Sequence, residues 1–276
     1  MRRQVVHNTS VPTIGRLRYL EATPPATARP RGVVVLLHAF PLNARMWDAQ
    51  LALAGGGWRV IAPHFRGVDG GAGDPATASM EDYAGDVIDL LDALHIKQAV
   101  IGGLSMGGYA ALAVLRHAAS YFQGLILADT RSEADTPEGL EGRKKMLELV
   151  QTKGAAAVAD EMIPKLLGET TRRTRPEVAD HVRSLVLSSS ADAIAGAVRA
   201  LMTRQDSTPL LSAIHFPTLI VVGEEDTLTP PALSEKMHSH IPGSEMTVIP
   251  GAGHLSNLER PEAFNAALAR FLEHRL

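Results

Sequence analysis

Continuous apolar runs alternate with segments of helical spacing along the first 130 residues of the chain. Each run is typical of a strand buried on both faces, and the runs are VVVLLH (33–38), WRVIAP (58–63), QAVIGG (98–103) and GLILAD (124–129). The segments with helical spacing lie between these runs, at 44–54, 79–94 and 106–118. Ser79, followed by Glu81 and Asp82, is typical of an N-cap and a first helical turn. Strands that alternate with helices predict βαβ units and a parallel sheet.

The alternation stops near residue 130 and returns near residue 209. Between these points, in 131–208, the chain has charged segments of helical spacing and no convincing strand. The pattern then resumes with a strand at 217–223, a helix at 230–241, a strand at 245–250 and a helix at 261–276. The sequence therefore predicts one α/β core, 1–130 and 209–276, with a helical cap at 131–208 inserted into it. Two stretches rich in small residues and turn formers, 22–32 and 67–75, are expected to be loops.

Composition narrows the class of protein and the class of partner. With 276 residues and 45% apolar content, the chain can bury a sizeable core, which argues against disorder. The net charge of -3 gives no reason to expect binding to nucleic acid or to an anionic membrane, so we expect a small, uncharged partner. The absence of cysteine excludes disulfides, thiolate nucleophiles and zinc–thiolate sites.

Several further kinds of site and segment have no signal in the sequence. The N-terminal residues contain no apolar run long enough for a signal peptide, and no segment approaches the ~18 apolar residues of a membrane span, so a cytoplasmic location is expected. We find no HExxH, no acidic calcium loop and no His/Asp cluster with ligand spacing. Neither a metal nor another cofactor is therefore expected.

A serine lies where the third predicted strand becomes a helix, in the stretch VIGGLSMGGYAA. Ser105 has Gly103 and Gly107 two residues away on either side, which is the arrangement of a nucleophile elbow. The sharp turn strains the serine backbone, and only small residues fit two positions before and after it. The helix that begins there directs its first amide, that of Met106, towards charge that develops on a substrate oxygen. A glycine turn for close packing is the alternative; a phosphate cradle is disfavoured because no Gly-Lys-Ser/Thr follows.

A serine hydroxyl is a poor nucleophile at neutral pH, so this interpretation requires a base nearby. Among the 11 histidines, His254 lies in the glycine-containing loop IPGAGH between the last predicted strand and the last helix. His38 and His64 also follow predicted strands and remain alternatives on placement alone. We therefore take His254 as the candidate base for Ser105.

The base in turn needs a carboxylate that orients it, and one is expected at the end of a strand. The segment IVVGEEDTLTPP places Asp226 at the far end of a loop, directly before a helix that begins at a proline pair. Glu224 and Glu225 are alternatives one or two residues away, and Asp129 after GLILA is another. Asp226 is the preferred candidate.

The order Ser105, Asp226, His254, with each residue on a loop after a strand, resembles the α/β-hydrolase superfamily. The segments GLSMGG, VVGEEDTLTPP, GAGHLSNLERPEAF and LLHAFPLNARMWDAQ are similar to motifs of that family. The resemblance covers about residue 32 to the C-terminus and is strongest to small capped carboxylesterases, enol-lactonases and cofactor-independent haloperoxidases, which also act as perhydrolases. It implies a mostly parallel sheet flanked by helices, with a helical cap after the sixth strand.

The resemblance also implies roles for residues outside the Ser–His–Asp set. The oxyanion hole would consist of the backbone N–H groups of Phe40 and Met106. The chain departs from the family where His38-Ala39 replaces the usual His-Gly, and where His64 replaces the aspartate of an Asp-x-Arg-Gly-x-Gly loop. Arg66 of that loop is expected to be a structural ion-pair or hydrogen-bonding residue.

The chemistry implied is acyl transfer to Ser105 from small, fairly apolar esters or lactones. Perhydrolase, haloperoxidase or enol-lactonase activity would use the same residues, while a ligand-binding receptor with slow turnover and a scaffold with vestigial residues are alternatives of other classes. His38 and Trp47 are candidates for the substrate pocket, although apolar spacing makes a core position for Trp47 equally compatible. The expected partner is a small ester or lactone, and a homodimer is left open.

Overall fold

An eight-stranded sheet forms the centre of the computed structural model, which describes residues 13–14, 17–68 and 78–276. The strands are β1 (Thr13–Ile14), β2 (Leu17–Ala22), β3 (Gly32–Leu37), β4 (Trp58–Pro63), β5 (Ala99–Leu104), β6 (Phe122–Ala128), β7 (Thr218–Gly223) and β8 (Glu245–Ile249). Their order across the sheet is β1-β2-β4-β3-β5-β6-β7-β8. The pairs β1–β2 and β2–β4 are antiparallel, and all other pairs are parallel. This is the mostly parallel α/β sheet that the sequence predicted.

Helices connect the parallel strands and cover both faces of the sheet. They are α1 (Met80–Ala93), α2 (Met106–Ala118), α3 (Pro137–Leu166), α4 (Glu169–Thr174), α5 (Pro176–Leu187), α6 (Ala191–Met202), α7 (Pro231–His240), α8 (Ser256–Glu259) and α9 (Pro261–His274). The start of α1 confirms the predicted cap: the Ser79 hydroxyl accepts a hydrogen bond from the Asp82 amide, and the Asp82 carboxylate accepts one from the Ser79 amide. This reciprocal pair satisfies donors that a helix N-terminus leaves unpaired.

Two regions differ from the elements that the sequence predicted. Residues 44–54 form part of two 3-10 helices, Ala44–Trp47 and Gln50–Gly56, where a single helix was expected. The Asn43 side chain accepts from the Arg45 amide and caps the first of these short turns, and Gly57, in the left-handed region with φ 96°, ends the second. Strands β1 and β2 were not predicted. The loop expected at 67–75 is described only for its first two residues, and its remainder, like the N-terminal residues 1–12, lies outside the described ranges.

Between β6 and β7 the chain forms helices α3 to α6 and no strand. Helix α3 is kinked at Gly154, which adopts φ 75° and has open space where a Cβ would lie, with no neighbouring atom within 4 Å. It packs against α5 and α6, and α6 contacts α1 of the core. These helices carry the predicted cap segment, and their buried face includes Val158, Val182, Leu185 and Val198.

No single helix in the described part of the chain has both the length and the apolar content of a membrane span. Helices α5 and α6 meet that test only when taken together, across a bend of 94°. Most of their apolar side chains are buried within the protein.

The parallel strands end at one edge of the sheet, and this edge brings distant parts of the chain together. Leu37 pairs with Gly103, and Gly103 pairs with Leu127, so β3, β5 and β6 end level with one another. Ligands of open parallel sheets bind outside the carboxyl ends of the strands. The residues that follow these strands are therefore the candidates for a binding or catalytic site.

Arg66, on the loop after β4, forms a structural ion pair as predicted. Its Nε donates to Asp86 Oδ2 at 2.7 Å and its Nη2 donates to Asp86 Oδ1 at 2.8 Å. Both side chains are buried, so this bidentate pair joins the β4 loop to α1.

Candidate active site

Ser105 occupies the turn from β5 to α2 with a backbone conformation that is rare for any residue except glycine. Its φ is 55° and its ψ is −113°. A Cβ on Gly103 would lie 2.1 Å from the Gly107 carbonyl carbon, and one on Gly107 would lie 2.0 Å from the Leu37 oxygen. Both positions therefore require glycine, which supports the interpretation of a tight elbow. The Ser105 amide donates to the Ala128 carbonyl at 2.9 Å, which ties the turn to β6.

Three side chains from separate loops form a continuous hydrogen-bonded chain at this edge. His254 Nε2 lies 2.8 Å from Ser105 Oγ, and His254 Nδ1 lies 2.8 Å from Asp226 Oδ2. The histidine and the aspartate are both buried. Because an ionised carboxylate can only accept, Nδ1–H donates to Asp226 and Nε2 is left to accept the Ser105 proton. The structure thus brings together the three residues that the sequence singled out.

Asp226 is held in place by groups within three residues of it. Its Oδ1 accepts from the amides of Leu228 at 2.8 Å and Thr229 at 3.0 Å, and its Oδ2 accepts from the Thr229 hydroxyl at 2.7 Å. Burial by itself would raise the pKa of Asp226, but the attraction and hydrogen bond of His254 and the Thr229 donors outweigh it and lower that pKa. Asp226 is therefore ionised and fixed in orientation.

The loop that carries His254 is fastened by Glu259, a residue to which the sequence assigned no role. Glu259 Oε1 accepts from the amides of Gly253 at 2.9 Å and Leu255 at 3.2 Å, on either side of the histidine. Glu259 Oε2 accepts from the Gly168 amide at 2.9 Å, between α3 and α4. This side chain is fully buried. The only sequence signal for this role was the glutamate in the segment GHLSNLERP. No basic residue lies three or four positions from it, where it could form an ion pair along a helix.

The alternative acids have other partners. Asp129 accepts from the Gly223 amide at 2.7 Å and from the Ser256 hydroxyl. Glu224 accepts from the Gly251 amide at 3.0 Å, and Glu225 accepts from the amide and hydroxyl of Thr170. None of these three carboxyl groups is hydrogen-bonded to His254 in the described structure. Asp226 alone among the candidates makes that contact.

The alternative bases also lie elsewhere. His38 donates from Nδ1 to the Ala39 carbonyl at 3.0 Å and accepts at Nε2 from the Phe65 amide at 3.1 Å, so both ring nitrogens are used. Burial lowers the pKa of His38 to about 3. Burial, with the charges of Arg18 and Arg45, lowers the pKa of His64 to about 4. Both rings are neutral at physiological pH, and neither is hydrogen-bonded to Ser105.

The two expected oxyanion donors lie beside the serine. Phe40 lines the same cavity as Ser105, and Met106 follows Ser105 directly at the start of α2. Neither backbone N–H donates a hydrogen bond to any group in the described part of the chain. Ala39 does not adopt a positive φ, and its amide lies 3.1 Å from Met46 Sδ. Alanine therefore fits this loop without backbone strain where the family usually has glycine.

A cavity of about 90 Å³ opens onto Ser105 and His254. Its apolar wall is formed by Phe40, Met162, Leu166, Leu201 and Leu228. Two arginines, Arg131 and Arg143, also line it, and the sequence did not indicate them. Arg131 lies on the loop after β6 and Arg143 lies in α3, and no short motif links these two positions.

His38 and Trp47 do not line this cavity. His38 lies against the Phe65 ring at a centroid distance of 4.6 Å and lines a separate, much smaller cavity that Met106 also borders. Trp47 is buried in the core with its ring centroid 6.0 Å from that of Phe264. Neither side chain reaches the cavity at Ser105, and Trp47 takes the core position that its apolar spacing also allowed.

Within the described ranges no group of three or more His, Asp or Glu side chains is arranged to hold a metal ion. The site as described consists of a strained serine, a histidine and a buried carboxylate. A base that is hydrogen-bonded to a serine can take its proton as the serine forms a covalent acyl intermediate.

Comparison with known proteins gives consistent results over most of the chain. A family model described as the alpha/beta hydrolase family matches residues 34–267. The chain is 29% identical over 240 residues to 3-oxoadipate enol-lactonase 1 of Acinetobacter baylyi, which is 87% of this chain and 88% of that protein. The solved structure of a thermophilic esterase from Thermogutta terrifontis with malate bound has 39% identity and a TM-score of 0.87, and covers 93% of each chain. The enol-lactonase of Burkholderia xenovorans LB400 has 26% identity and a TM-score of 0.83, over 94% of this chain and 96% of that one.

Proposed function

The chain belongs to the α/β-hydrolase family, and we propose that it is a serine hydrolase that cleaves carboxylic esters or lactones through an acyl-enzyme. The observation that carries the proposal is the chain of contacts from Ser105 through His254 to Asp226, with both hydrogen bonds at 2.8 Å. Nucleophilic catalysis needs a nucleophile that is hydrogen-bonded to a base, and a carboxylate that is hydrogen-bonded to the base and orients it.

The reaction follows from the roles of these groups. Ser105 Oγ attacks the carbonyl carbon while His254 Nε2 takes the hydroxyl proton, and Asp226 stabilises the imidazolium that forms. When the carbon–oxygen bond of the ester breaks, the same proton passes from His254 to the leaving alkoxide. Water then attacks the acyl-enzyme and gives a proton to His254, and that proton returns to Ser105 as the carboxylic acid leaves.

The oxyanion of the tetrahedral intermediate needs donors that are already in place. The amides of Phe40 and Met106 border the serine and have no acceptor among the described residues, so both can donate to that oxygen. Each such donor typically contributes about 10²–10³ in rate. The helix dipole of α2 acts in the same direction as the Met106 amide.

The size and lining of the cavity favour small substrates. A volume of about 90 Å³ accommodates a short acyl or alkyl group against its apolar wall. The names of the relatives, an esterase and two enol-lactonases, support esters and lactones as the substrate class. Hydrolysis of both classes requires the same attack by Ser105.

The test is a panel of p-nitrophenyl acetate, p-nitrophenyl butyrate and γ- and δ-lactones, assayed with wild type and Ser105→Ala. We expect wild-type hydrolysis, and a loss of about 10⁴-fold or more in kcat for the alanine variant. Ser239→Ala, which removes an exposed hydroxyl on α7, is the matched control and should retain full activity. A fluorophosphonate should phosphonylate Ser105 in wild type with loss of hydrogen fluoride, and should leave the alanine variant unlabelled. Undiminished turnover by Ser105→Ala would refute the mechanism, and tight ligand binding without turnover would assign the chain to the receptor class.

A further inference from the structure

Three arginines meet beside the Ser105 cavity around one carboxylate. Arg131 Nη2 donates to Asp135 Oδ1 at 2.6 Å, Arg204 Nη2 donates to the same oxygen at 2.7 Å, and Arg143 Nε donates to Asp135 Oδ2 at 3.0 Å. They come from the loop after β6, the segment directly after α6 and the first half of α3, respectively. Burial would raise the pKa of Asp135, but Arg143 and Arg204 outweigh it and lower that pKa. One ionised carboxylate therefore faces three guanidinium groups.

Most donors of these guanidinium groups have no acceptor in the described structure. Each guanidinium carries about five N–H donors, and the hydrogen bonds that these three groups donate all end on Asp135. The Nε atoms of Arg131 and Arg204 are buried and unbonded, and the Arg204 side chain is only 3% exposed. Arg204 also stacks on Tyr109, with Cζ 3.9 Å from the ring centroid. Buried donors without acceptors are rare in folded proteins and indicate a missing partner.

The other charged groups nearby are already paired or exposed. Glu133 accepts from Lys236 Nζ at 2.7 Å, so that pair adds no net charge. Asp206 is exposed and accepts from the Thr208 amide at 2.8 Å. Asp226 is engaged by His254 and Thr229, as described above. Two positive charges are left over around Asp135, and both cavity-lining members of the cluster, Arg131 and Arg143, border the space next to Ser105.

No carboxylate is among the described residues that line the cavity. The side chains of Arg131 and Arg143 are each 24% exposed, and a partly buried cation next to an apolar wall attracts an anion more strongly than a fully exposed one does. Arginine is also the side chain best matched to a carboxylate, because its planar fork donates two parallel hydrogen bonds. The cavity thus has an apolar side, a cationic side and a nucleophile between them.

We propose that the substrates of this site carry a carboxylate in addition to the ester or lactone group, and that Arg131 and Arg143 bind it while Ser105 attacks the carbonyl. This inference rests on the proposed hydrolase function and specifies its substrate class. It replaces the expectation, drawn from the overall charge, of an uncharged substrate. Arg204 and Asp135 act as positioning residues that hold the two binding arginines in place.

The test compares monoethyl esters of succinate, glutarate and adipate with the ethyl esters of the corresponding primary amides, which have the same shape and no charge. For at least one chain length, wild type should favour the anion by about tenfold or more in kcat/KM, as expected for charge-assisted hydrogen bonds. In Arg143→Gln the ratio of kcat/KM for the anion to kcat/KM for the amide should fall to within about a factor of three of unity. Arg143→Lys should retain part of the preference for the anion. Arg131→Gln provides a second variant in case Arg143→Gln does not fold. Lys144→Gln is the matched control, because it removes the same charge from an exposed neighbour on α3 and should leave the ratio unchanged.

A binding measurement separates failure of this inference from failure of the hydrolase proposal. Calorimetric titration of Ser105→Ala with glutarate should show binding that is lost when Arg143→Gln is added. If neutral esters are cleaved as well as the anions and glutarate does not bind, the carboxylate site is refuted while the hydrolase function stands. If no ester is cleaved, the hydrolase function fails, and the titration alone then supports or overturns recognition of a carboxylate by the arginines.

Discussion

At the scale of single residues, the two buried carboxyl groups Asp129 and Asp226 have opposite protonation preferences. Burial, together with repulsion from Asp226, raises the pKa of Asp129 well above its usual value. Asp226 has a lowered pKa because of His254 and Thr229. When one of two neighbouring carboxyl groups keeps its proton, the repulsion between two negative charges is avoided. The charge and hydrogen bond of His254, together with the Thr229 donors, make Asp226 the ionised member of the pair.

Asp129→Asn should therefore stabilise the protein at neutral pH. Because the pKa of Asp129 is raised by folding, the folded state holds a proton that the unfolded chain releases above about pH 4, and stability falls as the pH rises from there. Asparagine mimics the protonated acid and removes this dependence. Urea unfolding should show an advantage of the variant at pH 7 to 8 that shrinks towards pH 4.

Asp192→Asn, at an exposed position in the first turn of α6, is the control for the loss of a carboxylate. The difference in unfolding free energy between this variant and wild type should vary little over the same pH range. A difference for Asp129→Asn that is constant with pH, or that grows towards acid, would contradict the assigned protonation state.

At the scale of secondary-structure elements, the contact between α2 and β3 fixes the position of Ser105, the proposed nucleophile. Gly107 on α2 lies so close to Leu37 on β3 that a Cβ would come within 2.0 Å of the Leu37 oxygen. This contact joins two backbones, so no side chain can move aside to relieve it. The same turn carries Ser105 and the Met106 amide, which depend on that spacing.

Gly107→Ala should cost about 3 kcal/mol in the free energy of unfolding, because the helix must move away from the strand. Activity towards esters should fall with it, since Ser105 moves with the helix. Gly85→Ala on α1 is the matched control: no atom lies within 4 Å of the point where its Cβ would be, so helix propensity should stabilise the protein by about 0.5–1 kcal/mol. Denaturation in urea measures the change in unfolding free energy for both variants. Changes of equal sign and size would contradict the packing argument.

The sequence predicted the elements whose signals are local. Helix α1 has a capping box, and β4 and α2 have the predicted bounds because turn residues flank apolar runs. Strand β2 was missed because LRYLEA has neither a continuous apolar run nor strict alternation of apolar and polar residues, and it pairs antiparallel with a strand far along the chain. The two 3-10 helices at 44–56 have helical periodicity, which does not distinguish a 3-10 helix from an α-helix.

At the scale of the whole molecule, two buried histidines make folding sensitive to acid. His38 and His64 follow β3 and β4, and folding lowers their pKa values from 6.5 to about 3 and about 4, respectively. Below about pH 6.5 the unfolded chain takes up protons that the folded protein does not, so stability falls as the pH drops from there towards about 4. His38 alone contributes up to about 4 kcal/mol to this loss.

His38→Gln should flatten that acid dependence, because glutamine can accept the Phe65 hydrogen bond and does not titrate. The slope of unfolding free energy against pH between 6.5 and 4 should be smaller than in wild type, whatever the variant's stability at pH 7. His274→Gln, at an exposed position in the last turn of α9, should leave the slope unchanged. An identical slope for wild type and His38→Gln would refute the buried neutral ring.

The meeting of Ser105, Asp226 and His254 at one edge of the sheet could be predicted because each follows a strand in a loop of recognisable composition. The arginine cluster could not, because Arg131, Arg143 and Arg204 are far apart along the chain and meet only when α3 and α6 pack together. The net charge of -3 is a sum over all side chains and gives no information about this local excess of cations. Glu259 was missed for a similar reason, since its three amide partners come from two separate loops.

Two links couple the C-terminal end of α3 mechanically to the imidazole of His254. One is the Glu259 carboxylate, and the other is the hydrogen bond from the His254 amide to the Leu166 carbonyl, at 3.0 Å. Leu166 is also a wall of the cavity. A substrate too large for the space would push this wall outwards and pull the base away from Ser105 in the same movement. Under the proposed hydrolase function, oversized esters should therefore be slow substrates that bind and inhibit, because His254 is misaligned.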